Sequence, residues 1–194
     1  MNFLPKDNAQ AKPYNDLRYP QDRDKAVHAL TSLQKGYCAY SERYLKPLDS
    51  VELEHFDPRI KNTDEDGFKN WHAVIRWMNA HKSRRIDDFE PLPDFETWMP
   101  DRVRYEGGFF VCEDGDLETK NLIEFLGVNR LEVFEERSNH IARLRNMQNK
   151  LGQELIIEIL CESPEELSFP TAIEAELGIP AFELIDRHLV TNEG

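Results

Sequence analysis

The residue types best suited to chemistry lie between residues 37 and 82, where Glu54 and His55 are adjacent and Asn79 follows. A histidine is a suitable general base near neutral pH. A carboxylate and an amide oxygen are ligands that a hard divalent ion such as Mg²⁺ accepts, with waters completing its shell. Hydrolysis of a phosphodiester needs an activated water and a cation on the developing charge. This stretch therefore contains the residue types of a metal-dependent hydrolytic site.

The order of these residues is more specific than their types. A Glu-His-Phe-x-Pro string begins at Glu54, Asn70 follows it, and Asn79 begins an Asn-x-x-Lys string. This order resembles the motif of the HNH endonucleases, which cut nucleic-acid phosphodiester bonds with one divalent ion. The resemblance implies a ββα-metal fold, which is two short antiparallel strands followed by a helix. We therefore expect an α+β protein with a small ββα-metal motif embedded in a mostly helical domain.

The resemblance also implies a role for each motif residue. His55 matches the general base, and Glu54 matches the acidic metal ligand that precedes it. Asn70 would brace the loop that orients the base, and Asn79 would be the second metal ligand. Lys82 would contact phosphate. The implied cofactor is one divalent ion, Mg²⁺ or Mn²⁺.

Further basic residues flank the motif. Arg59 and Lys61 follow the Glu-His pair, and Arg84 and Arg85 follow the motif's end. We expect these four side chains to contact phosphate together with Lys82. The expected substrate is DNA, and the motif leaves RNA open.

The chain departs from the family pattern where many relatives bind zinc. Those relatives carry two Cys-x-x-Cys pairs, and four thiolates would bind a structural zinc ion. The corresponding positions here hold Cys38, Ser41, Ile75 and Met78. One thiol cannot form that site, so we expect no structural zinc and apolar packing in its place, with Cys38 as a small buried residue.

A wider and weaker resemblance covers residues 25–147. A Tyr-Cys-x-Tyr string precedes the motif, and a Leu-Gly-Val-Asn-Arg string begins at Leu126. This layout resembles the HNH subunits of Septu-type anti-phage systems, which also occur beside some retrons. In that family the nuclease works with an ATPase subunit. The resemblance therefore implies an anti-phage defence complex in which the partner supplies DNA-binding surface.

The charge is divided unequally along the chain. The net charge of −13 speaks against an autonomous nucleic-acid binder, but residues 1–85 carry +3 and residues 86–194 carry −16. We expect the first half to meet phosphate. The acidic half is either a solvated surface or a surface for a basic partner.

Composition indicates the class of protein. With 40% hydrophobic and 31% charged residues, the chain has an ordinary globular composition. It has no apolar run that could span a membrane, and its first residues lack the apolar segment of a signal peptide. Three widely spaced cysteines argue for a reducing compartment. We expect a cytoplasmic protein without membrane contact.

The elements that position the motif follow from capping residues and periodicity. We predict an extended N-terminal arm at residues 1–24, an HNH core at 25–90 and a mostly helical acidic region at 91–194 packed on the core. We predict a helix from Asp22 or Asp24 to about Gln34, a short strand or the start of a turn at 37–40, a strand at 51–55, a loop at 61–67, and a helix at about 70–80. The C-terminal region should contain a hairpin turn at Gly107-Gly108 and a long helix at 131–151.

Two other interpretations remain open at this point. The first is an HNH fold that binds nucleic acid or a partner protein without cutting. The second is an unrelated α+β protein in which His55 ends a strand and the asparagines cap helices.

Overall fold

The fold is that of an α+β protein, as predicted, with helices arranged around two small antiparallel sheets. A computed structural model describes residues 2–3, 11–82, 85–94 and 99–192. The helices and strands, in chain order, are α1 Arg23–Leu33, β1 Val51–His55, β2 Trp71–Ile75, α2 Arg76–His81, β3 Arg104–Glu106, β4 Phe109–Val111, α3 Leu117–Leu126, α4 Leu131–Leu151, α5 Gln153–Glu162, α6 Pro170–Leu177 and α7 Ala181–Asn192. Single 3₁₀ turns lie at Lys12–Tyr14, Phe68–Asn70, Ile86–Phe89, Pro100–Arg102 and Pro164–Leu167.

The first sheet is the antiparallel pair β1–β2, and α2 begins at the residue after β2. The pairing runs from Val51 opposite Ile75 to His55 opposite Trp71. The predicted helix at 70–80 is therefore wrong over its first half, because residues 71–75 form a strand. All five residues of β2 are buried, so the strand shows no alternation of polar and apolar residues. The apolar residues Trp71, Val74 and Ile75, taken together with Met78, therefore have the spacing of an apolar helix face.

Of the two alternatives predicted for residues 37–40, the start of a turn is the one observed, and the strand is not. Residues 37–44 form a tight loop closed by one bridge between Tyr37 and Tyr44. Inside it the Cys38 N–H donates to the carbonyl of Arg43, and Glu42 has a left-handed φ of 63°. The aromatic residues that suggested a strand are buried as core side chains instead.

Helix α1 packs on the β1–β2 sheet through Ala26, Ala29 and Leu30, which are buried. Its bounds are close to the prediction. Gln34 follows the last turn of α1 and lies at the edge of β2 that does not pair with β1. The Gln34 side chain donates to the carbonyl of Ala73 at 2.8 Å and accepts from the N–H of Ala73 at 2.9 Å. The N–H of Ala39 donates to the same carbonyl at 3.2 Å, so the backbone of Ala73 is satisfied on the edge of β2 that faces away from β1.

The described part of the predicted arm is not wholly extended. It includes the 3₁₀ turn Lys12–Tyr14, and Tyr14 stacks on Phe68 with ring centroids 4.9 Å apart. The arm therefore packs against the loop that connects β1 with β2.

Helices α3 to α7 form the rest of the molecule, with β3–β4 as a separate hairpin that turns at Gly107-Gly108, as predicted. A buried arginine joins these parts. Arg137 of α4 donates to the carbonyls of Val128 and Gly108 and to the hydroxyl of Tyr105. Gly108 has a φ of 92°, and a Cβ there would lie 2.6 Å from the ring of Phe134. Glycine is therefore required where the hairpin meets α4.

Candidate functional site

The candidate site lies at the end of β1, where Glu54 and His55 are the last two residues. Neighbouring side chains of a strand point to opposite faces, so these two residues face different surroundings. Glu54 lies opposite His72 of β2, and His55 lies opposite Trp71.

The carboxylate of Glu54 is one half of a buried ion pair. Its Oε1 accepts from the Nζ of Lys82 at 2.6 Å, and its Oε2 accepts from the hydroxyl of Tyr40 at 2.9 Å. The same ammonium donates to the carbonyl of His55 at 2.9 Å and lies 4.9 Å from the ring centroid of Phe125. Burial raises the pKa of Glu54, while Lys82 and Tyr40 act in the opposite direction. Glu54 therefore already holds a cation, and that cation is a lysine.

His55 is buried among aromatic rings beside a carboxylate. Its Nε2 lies 3.1 Å from the Oδ2 of Asp66, the carboxylate that pairs with the imidazole. Among the buried side-chain nitrogens and oxygens of the described residues, this Nε2 is the one without a hydrogen-bond partner. Tyr19 meets the imidazole edge-on with centroids 4.7 Å apart, and Trp71 does so at 6.2 Å. Burial lowers the pKa of His55, and Asp66 opposes that effect. A lowered pKa favours the neutral imidazole, which is the form that can accept a proton.

Asn70 joins the two ends of the loop that follows His55. Its Oδ1 accepts from the N–H of Asp57 at 2.7 Å, and its Nδ2 donates to the carbonyl of Asp57 at 3.1 Å. The N–H of Phe56 also donates to the carbonyl of Asn70 at 2.8 Å. These three bonds continue the β1–β2 ladder past its last pair, and they determine where the chain goes after His55.

Asn79 contacts a different carboxylate from the one that the resemblance implies. Its Nδ2 donates to the Oε2 of Glu52 at 2.7 Å. Glu52 is two residues before Glu54 on β1, and the carboxylate of Glu54 is bonded by Lys82 and Tyr40. As arranged, Glu54 and Asn79 do not fit a shared divalent ion. Within the described ranges, no group of three or more His, Cys, Asp or Glu side chains could hold a metal ion.

The predicted phosphate-binding residues have unequal surroundings. Lys82 is buried, and Arg84 lies outside the described residues. The other three side chains are exposed or partly exposed: Arg59 pairs with Asp57, Asp87 and Glu90, Arg85 pairs with Asp88, and the ammonium of Lys61 lies 4.9 Å from the ring centroid of Tyr19.

Among the predicted phosphate-binding residues, Lys61 is connected to the candidate base His55 through one aromatic ring. The ring of Tyr19 contacts both the ammonium of Lys61 and the imidazole of His55. The positive charge of Lys61 also acts to lower the pKa of both Glu54 and His55. A phosphate bound at Lys61 would therefore lie on the same side of the molecule as His55.

The four positions that hold zinc ligands in many HNH proteins are buried here. Cys38, Ser41, Ile75 and Met78 all lie in the core, and Trp77 packs against it. Cys38 is a free thiol, as are Cys112 and Cys161. Cys38 is therefore a small buried residue, as predicted.

Three residues near Glu54 and His55 were not found from sequence. Tyr40 ends the Tyr-Cys-x-Tyr string, which gave it no role at the site, Tyr19 belongs to a segment that carries no motif, and Asp66 belongs to the acidic loop 61–67. That loop places Asp64, Glu65 and Asp66 in succession, and only Asp66 is buried. The sequence carries no signal that distinguishes these three acids, because Asp66 is selected by hydrogen bonds from Asn62, Asn70 and Trp71, which form only in the folded chain.

Comparisons of this chain with protein-family models, with curated proteins and with solved structures gave no significant match. Among the described residues, no helix has both the length and the apolar character to cross a bilayer.

Proposed function

We propose that this protein is a metal-dependent HNH endonuclease that hydrolyses phosphodiester bonds of DNA. The observation that carries the proposal is His55, which ends β1 beside a carboxylate and at the start of a loop held by Asn70. The order β1, β2, α2 supports a ββα-metal motif, because the motif residues lie in it in the order that the family has. Our proposal is that this β1–β2–α2 unit binds a metal ion and cuts DNA.

In this proposal His55 is the general base. A neutral imidazole accepts a proton from a water molecule, and the water attacks the phosphorus in line with the leaving oxygen. Asn70 keeps the backbone after His55 in place, so that the imidazole keeps its direction when substrate binds. Lys61 would hold a phosphate oxygen near the base.

The cofactor in this proposal is one divalent ion, Mg²⁺ or Mn²⁺, which would offset the charge on the leaving oxygen. The family resemblance places the ion on Glu54 and Asn79. Since Lys82 and Tyr40 occupy both oxygens of Glu54, the ion would have to exchange with the lysine ammonium.

The resemblance also extends the proposal to a partner. We propose that the chain acts in a bacterial anti-phage defence complex with an ATPase subunit. The charge division supports this view, because residues 86–194 carry a net charge of −16 and repel a nucleic-acid backbone. A partner could supply the basic surface that this half lacks.

A second candidate function is a non-catalytic HNH-fold subunit that binds nucleic acid or a partner protein. One observation favours it, which is the Glu54–Lys82 pair. A carboxylate that is neutralised by a buried lysine serves to stabilise the fold without any metal.

A cleavage assay separates the two candidates. Supercoiled plasmid is incubated with the protein and Mn²⁺, alone and with the product of its neighbouring gene, beside the variant His55→Ala. His28→Ala is the matched control, because His28 is an exposed histidine on α1. The nuclease proposal expects cutting by the natural protein and by His28→Ala, and none by His55→Ala or in chelator. Equal cutting by His55→Ala would refute the assigned base, and no cutting by any protein in any mixture would favour the binding subunit.

A further inference from the structure

Asp66 is held in place by more hydrogen bonds than a loop residue usually receives. Its Oδ1 accepts from the indole N–H of Trp71 at 2.7 Å and from the Nδ2 of Asn70 at 3.3 Å. Its Oδ2 accepts from the backbone N–H of Asn62 at 3.0 Å. The side chain is only 3% exposed. Donors from the start of the loop at Asn62 and from its end at Asn70 and Trp71 thus fix the direction of both oxygens.

The remaining neighbour of this carboxylate is the imidazole of His55, whose Nε2 lies 3.1 Å from Oδ2. A carboxylate oxygen only accepts hydrogen bonds. A lone pair on Nε2 would repel it, whereas a proton on Nε2 would be attracted to it. In a neutral imidazole only one nitrogen carries the proton, so a proton on Nε2 leaves Nδ1 with the free lone pair.

We propose that Asp66 is a positioning residue that holds His55 in the Nε2–H tautomer, so that Nδ1 is the atom that accepts the proton. The role of that proton in phosphodiester hydrolysis rests on the proposed function. The placement itself rests only on the buried contact between Asp66 and His55. Tyr19 and Trp71 limit rotation of the imidazole by packing on it edge-on.

The variant Asp66→Asn tests this role, because an amide cannot satisfy all four neighbours. If its oxygen accepts from Trp71 and Asn70, its NH₂ group points at the N–H of Asn62 and at His55. The imidazole then has to present a lone pair at Nε2 and to carry its proton on Nδ1. The opposite orientation of the amide turns its NH₂ group toward the indole N–H and the Asn70 amide. The first orientation satisfies the two side-chain donors, and we expect it to prevail.

The first measurement is the tautomer of His55, from two-bond ¹⁵N–¹H correlations of the imidazole in metal-free protein without nucleic acid. We expect the Nε2–H form in the natural protein and the Nδ1–H form in Asp66→Asn. Asp64→Asn is the matched control, since it is the same substitution at an exposed position in the same loop, and it should leave the Nε2–H form. A natural protein with its proton on Nδ1 would overturn the proposal even if Asp66→Asn does not fold.

The second measurement is cutting. An orienting aspartate changed to asparagine in a catalytic triad lowers the turnover number by about 10⁴-fold through the wrong tautomer. We expect a loss of roughly 10²-fold or more for Asp66→Asn with folding retained by circular dichroism, and no loss for Asp64→Asn. Full activity of a folded Asp66→Asn would contradict the role of Asp66. An Nε2–H tautomer that depends on Asp66 in a natural protein that cuts nothing would support the placement and refute the nuclease proposal.

Discussion

Replacing Lys82 by methionine should destabilise the protein in a way that depends on pH. The ammonium of Lys82 is buried and bonds the carboxylate of Glu54 at 2.6 Å and the carbonyl of His55 at 2.9 Å. Methionine keeps most of the apolar contact with Phe125 but removes the charge. The carboxylate of Glu54 is then left with the hydroxyl of Tyr40 alone.

The size of the effect follows from the burial of both partners. Removing one member of a buried ion pair typically costs about 3–5 kcal/mol, because the other charge stays buried without compensation. That is a large part of the roughly 5–15 kcal/mol by which a domain is stable. For a chain of this length it corresponds to a fall in melting temperature of roughly 6–20 °C.

The pH dependence has a defined sign. Burial already raises the pKa of Glu54, and Lys82 is the first of the groups that oppose this shift, so the variant raises the pKa further. A carboxyl group with a raised pKa stabilises the folded state below its unfolded pKa, and that contribution is lost as the pH rises through the folded pKa. The loss in Lys82→Met should therefore be smaller near pH 4 than near pH 8.

Urea unfolding at pH 4, 6 and 8 measures this, with the double variant Glu54→Gln and Lys82→Met as the control. The double variant has no buried charge at this place, so its stability should change little between these pH values relative to the natural protein. A Lys82→Met variant as stable as the natural protein at pH 8, or a loss of equal size at all three pH values, would refute the buried ion pair. If Mn²⁺ stabilises Lys82→Met but not the natural protein, lysine and metal compete for Glu54.

Three further predictions concern the loop after β1, the core and the acid limit of stability. Asn70→Ala should lose two side-chain bonds to the loop backbone, about 1–3 kcal/mol in urea unfolding, and cutting should fall more than stability; equal cutting would show that the brace is not needed. Arg137→Met should lower the free energy of unfolding by about 3 kcal/mol or more, because two buried carbonyls and the hydroxyl of Tyr105 lose the donor Arg137. An unchanged urea midpoint would contradict the role of Arg137 in connecting α4 with the β3–β4 hairpin. The guanidinium of Arg102 lowers the pKa of Asp116 to about 2, so this carboxylate stabilises the fold above its unfolded pKa and that contribution is lost as the pH falls through about 2. Arg102→Gln should therefore begin acid unfolding at a higher pH, as followed by circular dichroism, and an unchanged acid midpoint would speak against the pair.

The two readings of the site make different demands on Glu54. As a metal ligand it must release Lys82, whereas as a structural residue it must keep that lysine. The unfolding and Mn²⁺ experiments on Lys82→Met distinguish these two roles of Glu54, and they need no nucleic-acid substrate. The tautomer of His55 is independent of it, because Asp66 lies on the other face of β1. The two halves of the site can therefore be tested separately.

The sequence by itself determined the candidates and their order. The adjacent Glu54 and His55, the later Asn70, and the long helix Leu131–Leu151 are readable because each depends on local spacing, capping or residue type. The turn at Gly107-Gly108 is readable for the same reason, since positive φ values favour glycine at a hairpin.

Only the tertiary structure decided which groups meet. Lys82 bonds Glu54 across 28 positions of sequence, and Asn79 bonds Glu52 instead of Glu54. Asp66 contacts His55 although two exposed acidic residues, Asp64 and Glu65, precede it in the loop. Residues 71–75 form a strand because they pair with β1, while Gln34 bonds the backbone of Ala73 from the other side. The local spacing of residues does not encode these contacts between remote segments. Ionic partners and burial depend on distances between remote segments, and those distances exist only after the chain has packed.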